Sequence, residues 1–191
     1  MKLTAAEKKT LLTLARQTIG GHFTGAESPT PDAPALMRPA ATFVTLKKNG
    51  ELRGCIGNLT ATETLAESVR HNALAAACND SRFAPLSAAE LPAVSIEISL
   101  LSEAQPLDYA DANELRRRLR PGIDGVILSS GRRGATFLPQ VWEQLPTAEL
   151  FLSHLCRKAG LPADFWRTGQ PEIAVYQVAH FAEEAGAAAN P

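Results

Sequence analysis

Thr42-Phe43-Val44-Thr45-Leu46-Lys47-Lys48-Asn49-Gly50-Glu51-Leu52-Arg53-Gly54-Cys55-Ile56-Gly57 reads as two short strands joined at Asn49-Gly50. Asn-Gly is the strongest short-range hairpin signal, because a type I′ turn needs positive φ at both central residues. A two-residue loop sets Lys48 opposite Glu51, Leu46 opposite Arg53 and Val44 opposite Cys55. Arg53 and Cys55 then leave one face, since strand side chains alternate. Gly54 and Gly57 leave the backbone uncovered on either side of the thiol. A glycine inside a strand marks a bulge or a close approach by another group. A cation two residues from a cysteine also favours the thiolate. The competing reading is plain: a cysteine in an apolar strand is more often a small core residue than a reagent.

Upstream, Thr4-Ala5-Ala6-Glu7 is a capping box opening a helix with the stripe Leu11, Leu12, Ala15 and Ile19, ended by Gly20-Gly21. His22 to Arg38, with Pro29, Pro31 and Pro34, reads as an extended connection. Downstream, Thr60 and Thr64 are alternative caps for a helix burying Leu65, Val69, Ala73, Ala76 and Ala77 and running to about Cys78. Its alanines let it lie close to the sheet, with His71 and Asn72 beside the buried face. Asn79 to Leu86 is a polar turn containing Arg82-Phe83, and Ser87-x-x-Glu90 caps a single turn before Pro92. Val94-Ser95-Ile96-Glu97-Ile98-Ser99-Leu100 alternates strictly, with Glu97 on the polar side.

Asp111-x-x-Glu114 caps a helix through about Leu119; residues 125–129 and 135–138 form a second hairpin. Thr147 caps a helix burying Leu150, Phe151, Leu155 and Ala159, with Gly160 beyond its end. Ile173 to Phe181 is a last strand, and the alanine-rich stretch from Glu183 is expected to fray. Hairpins outnumber helical crossovers. That predicts an α+β fold: a mainly antiparallel sheet flanked by helices, with a larger and a smaller lobe.

At 191 residues and 45% hydrophobic, the chain can bury a sizeable core. A net charge of −1 gives no footprint for nucleic acid or an anionic membrane. The basic run Arg116-Arg117-Arg118-Leu119-Arg120 lies beside Asp108, Asp111 and Glu114 and reads as a solvated helix face. With no signal peptide, no apolar run of membrane length, and three widely spaced cysteines, the sequence predicts reduced thiols in the cytoplasm. The four histidines form no close ligand pair, and CxxC and HExxH are absent, so no metal site is assigned. A thiol enzyme needs a base near Cys55. His71 is the candidate, on the helix that follows the hairpin directly, and Glu97 is the candidate carboxylate.

Leu52-Arg53-Gly54-Cys55-Ile56-Gly57 resembles the signature hexapeptide of the AMMECR family, called AmmeMemoRadiSam system protein A in prokaryotes. Phe43-Val44-Thr45-Leu46 precedes it as in that family. Asp80 to Leu86 resembles the family's D-x-R-F-x-P-L element, and Glu97 to Ser102 the strand that follows. Ala135 to Trp142 resembles T-F-L-P-Q-V-W, and Lys158-Ala159-Gly160-Leu161 resembles K-A-G-L. These elements come in order and span most of the chain, with no motif matched between residues 106 and 124. The resemblance implies an α+β fold with a larger and a smaller lobe; residues 1–183 then read as a single domain, the segment 108–166 with its own hairpin and helices as its smaller lobe, and 184–191 as a frayed tail. It also implies a setting beside a Memo-like protein and a radical SAM protein. It names neither a reaction nor a cofactor.

Two functions follow. In the first, the protein is an enzyme or enzyme component acting with Memo-like and radical SAM partners on an unidentified small molecule. Cys55 is its reactive or ligand-holding thiol, Arg53 binds an anionic group, and His71 or Glu97 moves a proton; Gly54, Gly57 and Arg82 complete the ligand site. In the second, it is a non-catalytic binding module in which Arg53, Arg82, Phe83 and Trp142 form a groove and Cys55 is packing.

Overall fold

Asn49 and Gly50 take φ of +53° and +83°, and the hairpin forms around them. The structure, a computed structural model, describes residues 2–29 and 31–183. The tail over 184–191 lies outside the described residues. In chain order the elements are α1 (Ala5–Thr24), β1 (Thr42–Lys48), β2 (Glu51–Gly57), α2 (Leu65–Cys78), β3 (Val94–Leu101), β4 (Gln105–Pro106), α3 (Ala112–Arg118), β5 (Gly125–Ser130), β6 (Arg133–Phe137), α4 (Ala148–Lys158), α5 (Phe165–Thr168), β7 (Glu172–Tyr176) and β8 (Val178–Ala182). They make two four-stranded sheets, ordered β2-β1-β3-β8 and β4-β7-β5-β6. The fold is α+β, as predicted. No helix among the described residues is long and apolar enough to cross a membrane.

The hairpin register departs from the simple two-residue count. Lys47 pairs with Leu52 but Leu46 pairs with Gly54, so Arg53 is an extra residue, a β-bulge. Cys55 therefore stands opposite Thr45, not Val44. Thr42, Val44 and Leu46 are buried, and their partners Leu100, Ile98 and Ile96 on β3 are buried with them. The unbulged register would have aimed Cys55 into that core. One inserted residue moves it to the opposite face, because side-chain period in a strand is two.

The chain divides into two compact units, one from its start to Leu101 and again from Ala179 on, the other Ser102–Val178. The second contains the whole stretch in which the sequence places a smaller lobe. In the first unit, α1 and α2 cover the Val44/Leu46/Ile96/Ile98 face of the sheet. The predicted capping box at Thr4 and Glu7 forms. α1 does not stop at Gly20-Gly21 but runs to a left-handed Gly25. Burial of Leu11, Leu14, Ala15 and Ile19 outweighs the roughly 1 kcal/mol that an interior glycine costs a helix. α2 lies close to the hairpin through Ala73, Ala76 and Ala77, as its alanines predict. A Cβ on Gly54 would sit 2.2 Å from the Ala76 carbonyl oxygen, so glycine is required at this contact. Asn72 is buried, not beside the packed face: its Nδ2 donates to the Thr42 carbonyl at 3.0 Å and to Asn58 Oδ1 at 2.9 Å. Ser68 and Thr42 hydroxyls close the network at 2.8 Å.

The last predicted strand is two. β7 and β8 are separated by Gln177 and belong to different sheets. At that break the Ser102 N–H donates to the Gln177 carbonyl at 2.8 Å, and the Gln177 N–H donates to the Ser102 hydroxyl at 2.9 Å. Beyond β8, Arg16 donates to both Glu183 carboxylate oxygens at 2.6 and 2.5 Å, and Glu183 in turn accepts the Ile96 N–H at 2.9 Å.

In the second unit Leu115, Val126, Leu128, Phe151, Leu155 and Trp166 form the core. Leu150 is 48% exposed, and Leu152 takes the buried place expected of it. Trp142 stacks on Phe151 at 3.8 Å and donates its indole N–H to the Asp124 carbonyl at 2.7 Å. It is a core residue and forms no part of a groove. The basic run is paired off as a solvated face: Arg116 with Glu149 at 2.9 Å, Arg118 with Glu114 at 2.7 Å and Arg120 with Asp124 at 2.6 Å.

Candidate functional site

Cys55 is half-buried on β2, the edge strand of its sheet. It and Thr45 form a directly opposed pair, and the Thr45 hydroxyl donates to Cys55 Sγ at 3.2 Å. The backbone of Cys55 points out over the sheet edge. There its N–H donates to Asp80 Oδ2 at 2.9 Å and its carbonyl accepts from Arg82 Nη2 at 3.3 Å. Arg82 and Asp80 pair at 2.9 and 2.6 Å. The turn after α2 thus satisfies the open edge at the thiol, which an uncovered edge strand would leave as a pairing hazard. The Arg82 guanidinium, then the Cys55 N–H, hold the Asp80 carboxyl well below the usual carboxylate range, against the opposing effect of its burial. Asp80 raises Arg82 in turn.

The other ligand-binding candidates are engaged within the protein. Arg53, its side chain 15% exposed, donates to Glu90 at 3.4 and 3.2 Å. Lys48 joins the same carboxylate at 3.0 Å. Arg53 first and Lys48 second lower Glu90 to about 2. Arg53 and Arg82 both lie over the Phe83 ring, at 5.9 and 5.6 Å. The glycines do not leave bare backbone beside the thiol. Gly54 is covered by α2, and a Cβ on Gly57 would meet the Phe43 ring at 2.2 Å. Of the cations here Arg82 is the most exposed, with its side chain 55% exposed against 40% for Lys48 and 15% for Arg53.

The two proton-transfer candidates part company. Glu97 stands opposite Thr45 on β3, so Cys55, Thr45 and Glu97 form a row across three strands on one face. Lys47 pairs with Glu97 at 2.9 Å. His71 is elsewhere: it rides on α2, its side chain is 72% exposed, and its Nδ1 meets Glu63 at 2.8 Å. α2 covers the face that Gly54 presents, whereas Cys55, the next residue, presents the other. The histidine on the Glu97 side is His180, from β8. Its Nδ1 lies 2.9 Å from the Ser99 hydroxyl and 3.9 Å from Glu97 Oε1. Nearness along the chain favoured His71. The signal for His180 was its parity in the last strand, opposite to that of the core-packed Phe181.

Cys78 and Cys156 differ from Cys55 in setting. Burial pushes both thiols up, and Cys156 is wholly inside the second core. Among the described residues, no three His, Cys, Asp or Glu side chains are grouped to hold a metal ion.

The AMMECR1 family model matches residues 12–181. The chain belongs to the AMMECR1 family. A Thermofilum pendens relative is 36% identical over 200 residues, covering 95% of this chain and 92% of its own. A Methanopyrus kandleri relative is also 36% identical, over 96% of this chain and 91% of its own. The crystal structure of an uncharacterised Pyrococcus horikoshii protein superposes with a TM-score of 0.83 at 31% identity, covering 96% of this chain and 95% of that one. Both units therefore belong to the AMMECR1 architecture, and the bulge that exposes Cys55 lies within the matched region.

Proposed function

We propose that this AMMECR1 protein is a cytoplasmic enzyme or enzyme component acting alongside Memo-like and radical SAM proteins, with Cys55 as its reactive or ligand-holding thiol. The observation that carries the reading is the row Cys55, Thr45, Glu97, presented by the Arg53 bulge on the face away from the core. The Thr45 hydroxyl donates to the Cys55 sulfur and fixes its position in that row. Glu97, flanked by Lys47 and His180, is the group that holds or takes a proton from a ligand lying across the strands. Arg82, held by Asp80 but with its side chain 55% exposed, is the cation that an anionic part of that ligand can reach, whereas Arg53 is both paired with Glu90 and only 15% exposed.

The test is the alkylation rate of Cys55 against pH in native protein, with Cys78 and Cys156 as internal references. Cys55 is expected to react first, ahead of Cys78 and of Cys156, which is buried in the second core. Protection of Cys55 until unfolding would overturn the reading.

A second reading rests on the two guanidinium groups at Phe83. In it the turn is a docking surface for a partner segment and Cys55 is packing. Loss of partner binding in Arg82→Ala with native Cys55 protection would favour it.

A further inference from the structure

Arg82 holds the edge of the sheet with only part of its guanidinium. Nε and Nη2 donate to the two Asp80 oxygens at 2.9 and 2.6 Å, and Nη2 also donates to the Cys55 carbonyl at 3.3 Å. Nη1 makes no bond among the described residues, so both its N–H donors stay open. The guanidinium is therefore fixed in place by one side and presents the other. It is also within electrostatic reach of the sulfur: Asp80 is the first cause that raises Arg82, and ionised Cys55 adds to it.

The row of side chains gives a ligand at this edge a direction. Cys55 on β2 and Glu97 on β3 stand two strand spacings apart, roughly 10 Å. Glu97 is a carboxylate, so an anionic group is repelled at the β3 end and held at the β2 edge, where Arg82 is open. The surroundings also limit the charge. Asp80, Glu90 and Glu97 take Arg82, Arg53 with Lys48, and Lys47 in turn. One open guanidinium nitrogen among three carboxylates suits a single negative charge. A phosphate dianion asks for more cation than this edge leaves open.

We infer that the ligand of the Cys55 face is a small monocarboxylate, its charged end on Arg82 Nη1 and its body reaching over the thiol toward Thr45. This rests on the reading of Cys55 as an accessible thiol and names the class of molecule it meets. The test compares two alkylating reagents of equal size, iodoacetate and iodoacetamide, at Cys55 in the native chain. In both, the sulfur attacks the methylene carbon, a C–S bond forms, iodide leaves with the C–I electron pair, and the thiol proton goes to solvent. Dividing the ratio of the two rates by the same ratio for glutathione removes intrinsic reactivity. The quotient is expected to favour iodoacetate by about threefold or more, to fall as salt rises, and to fall to the glutathione value in Arg82→Gln. Iodoacetamide reads accessibility in the same variant, so a loosened edge moves both rates and leaves their ratio in place. Propionate should slow alkylation by iodoacetamide more than methyl phosphate does, and propionamide should have no effect. Stronger protection by methyl phosphate overturns the carboxylate. A ratio at the glutathione value in the unmodified protein overturns the anion and leaves the accessible thiol standing. Cys55 unreactive toward both reagents until unfolding overturns the thiol reading, and this inference with it.

Discussion

Replacing Gly54 by alanine tests whether this glycine serves α2 or a ligand. An added Cβ would lie 2.2 Å from the Ala76 carbonyl oxygen, below the 3.0 Å that real Cβ contacts respect, so strand and helix must part by about 0.8 Å. Both groups are backbone, and no side-chain rotation relieves the clash. The displaced helix carries Leu65, Val69, Ala73 and Ala76 into the core, so overpacking here loosens several buried contacts together. Overpacking of this kind costs roughly 1–3 kcal/mol. For a chain of this size that is a fall in melting temperature of roughly 2–4 °C per kcal/mol. The assay is denaturant unfolding followed by circular dichroism, with Cys78 labelling as a reporter at the end of α2. Gly54→Ala is expected to lower the midpoint and speed Cys78 labelling. An unchanged midpoint with unchanged Cys78 protection would refute the close-packing argument.

Asn72→Leu removes a buried amide that donates to Thr42 and Asn58; because the Thr42 carbonyl keeps the Asn58 N–H and Asn58 Oδ1 keeps the Ser68 hydroxyl, the cost should be about 0.5–1.5 kcal/mol per lost bond; equal stability in urea would show the amide contributes nothing. Asp80 has a folded pKa below its unfolded value of about 3.9, so its contribution is complete above that pH and is lost as pH falls towards the folded value. The urea midpoint should therefore drop below about pH 4, less steeply in Asp80→Asn, and parallel pH profiles would count against the edge cap. Arg118→Ala removes an exposed helix pair and should change stability by less than about 0.5 kcal/mol, measured the same way.

Local chemistry carried much of this fold. Asn49-Gly50 located the hairpin, Thr4 and Glu7 the first helix start, and the alternation from Val94 to Leu100 the central pairing. What local pattern could not supply was register and partner. Gly54 signalled a bulge or a close contact, and the structure has both, but the face Cys55 takes is set by the extra residue falling at Arg53, which local pattern does not locate. Ile173 to Phe181 carries no Gly or Pro to mark a break, so the sequence reads one strand where two sheets each take half. The first helix continues past Gly20-Gly21 because its packing face does, and propensity yields to it. At the site, Glu97 was legible from strand parity. His180 was not paired with it, because sequence distance hides a strand that arrives late.

That late arrival shapes how the protein is made. The chain leaves the first unit at Leu101 and returns to it at Ala179, and within the second unit Ser102 and Gln177 bond to each other. The second unit is in effect a cassette inserted between adjacent ends, which explains why its insertion costs little loop entropy. On the ribosome, the outer edge of β3 stays unpaired until the whole cassette has been synthesised and β8 emerges. Arg16, made near the start of the chain, then receives Glu183 and fastens the newest strand to one of the oldest helices. A nascent chain stopped before that point exposes a bare strand edge, the kind of surface that chaperones shield and that aggregation exploits.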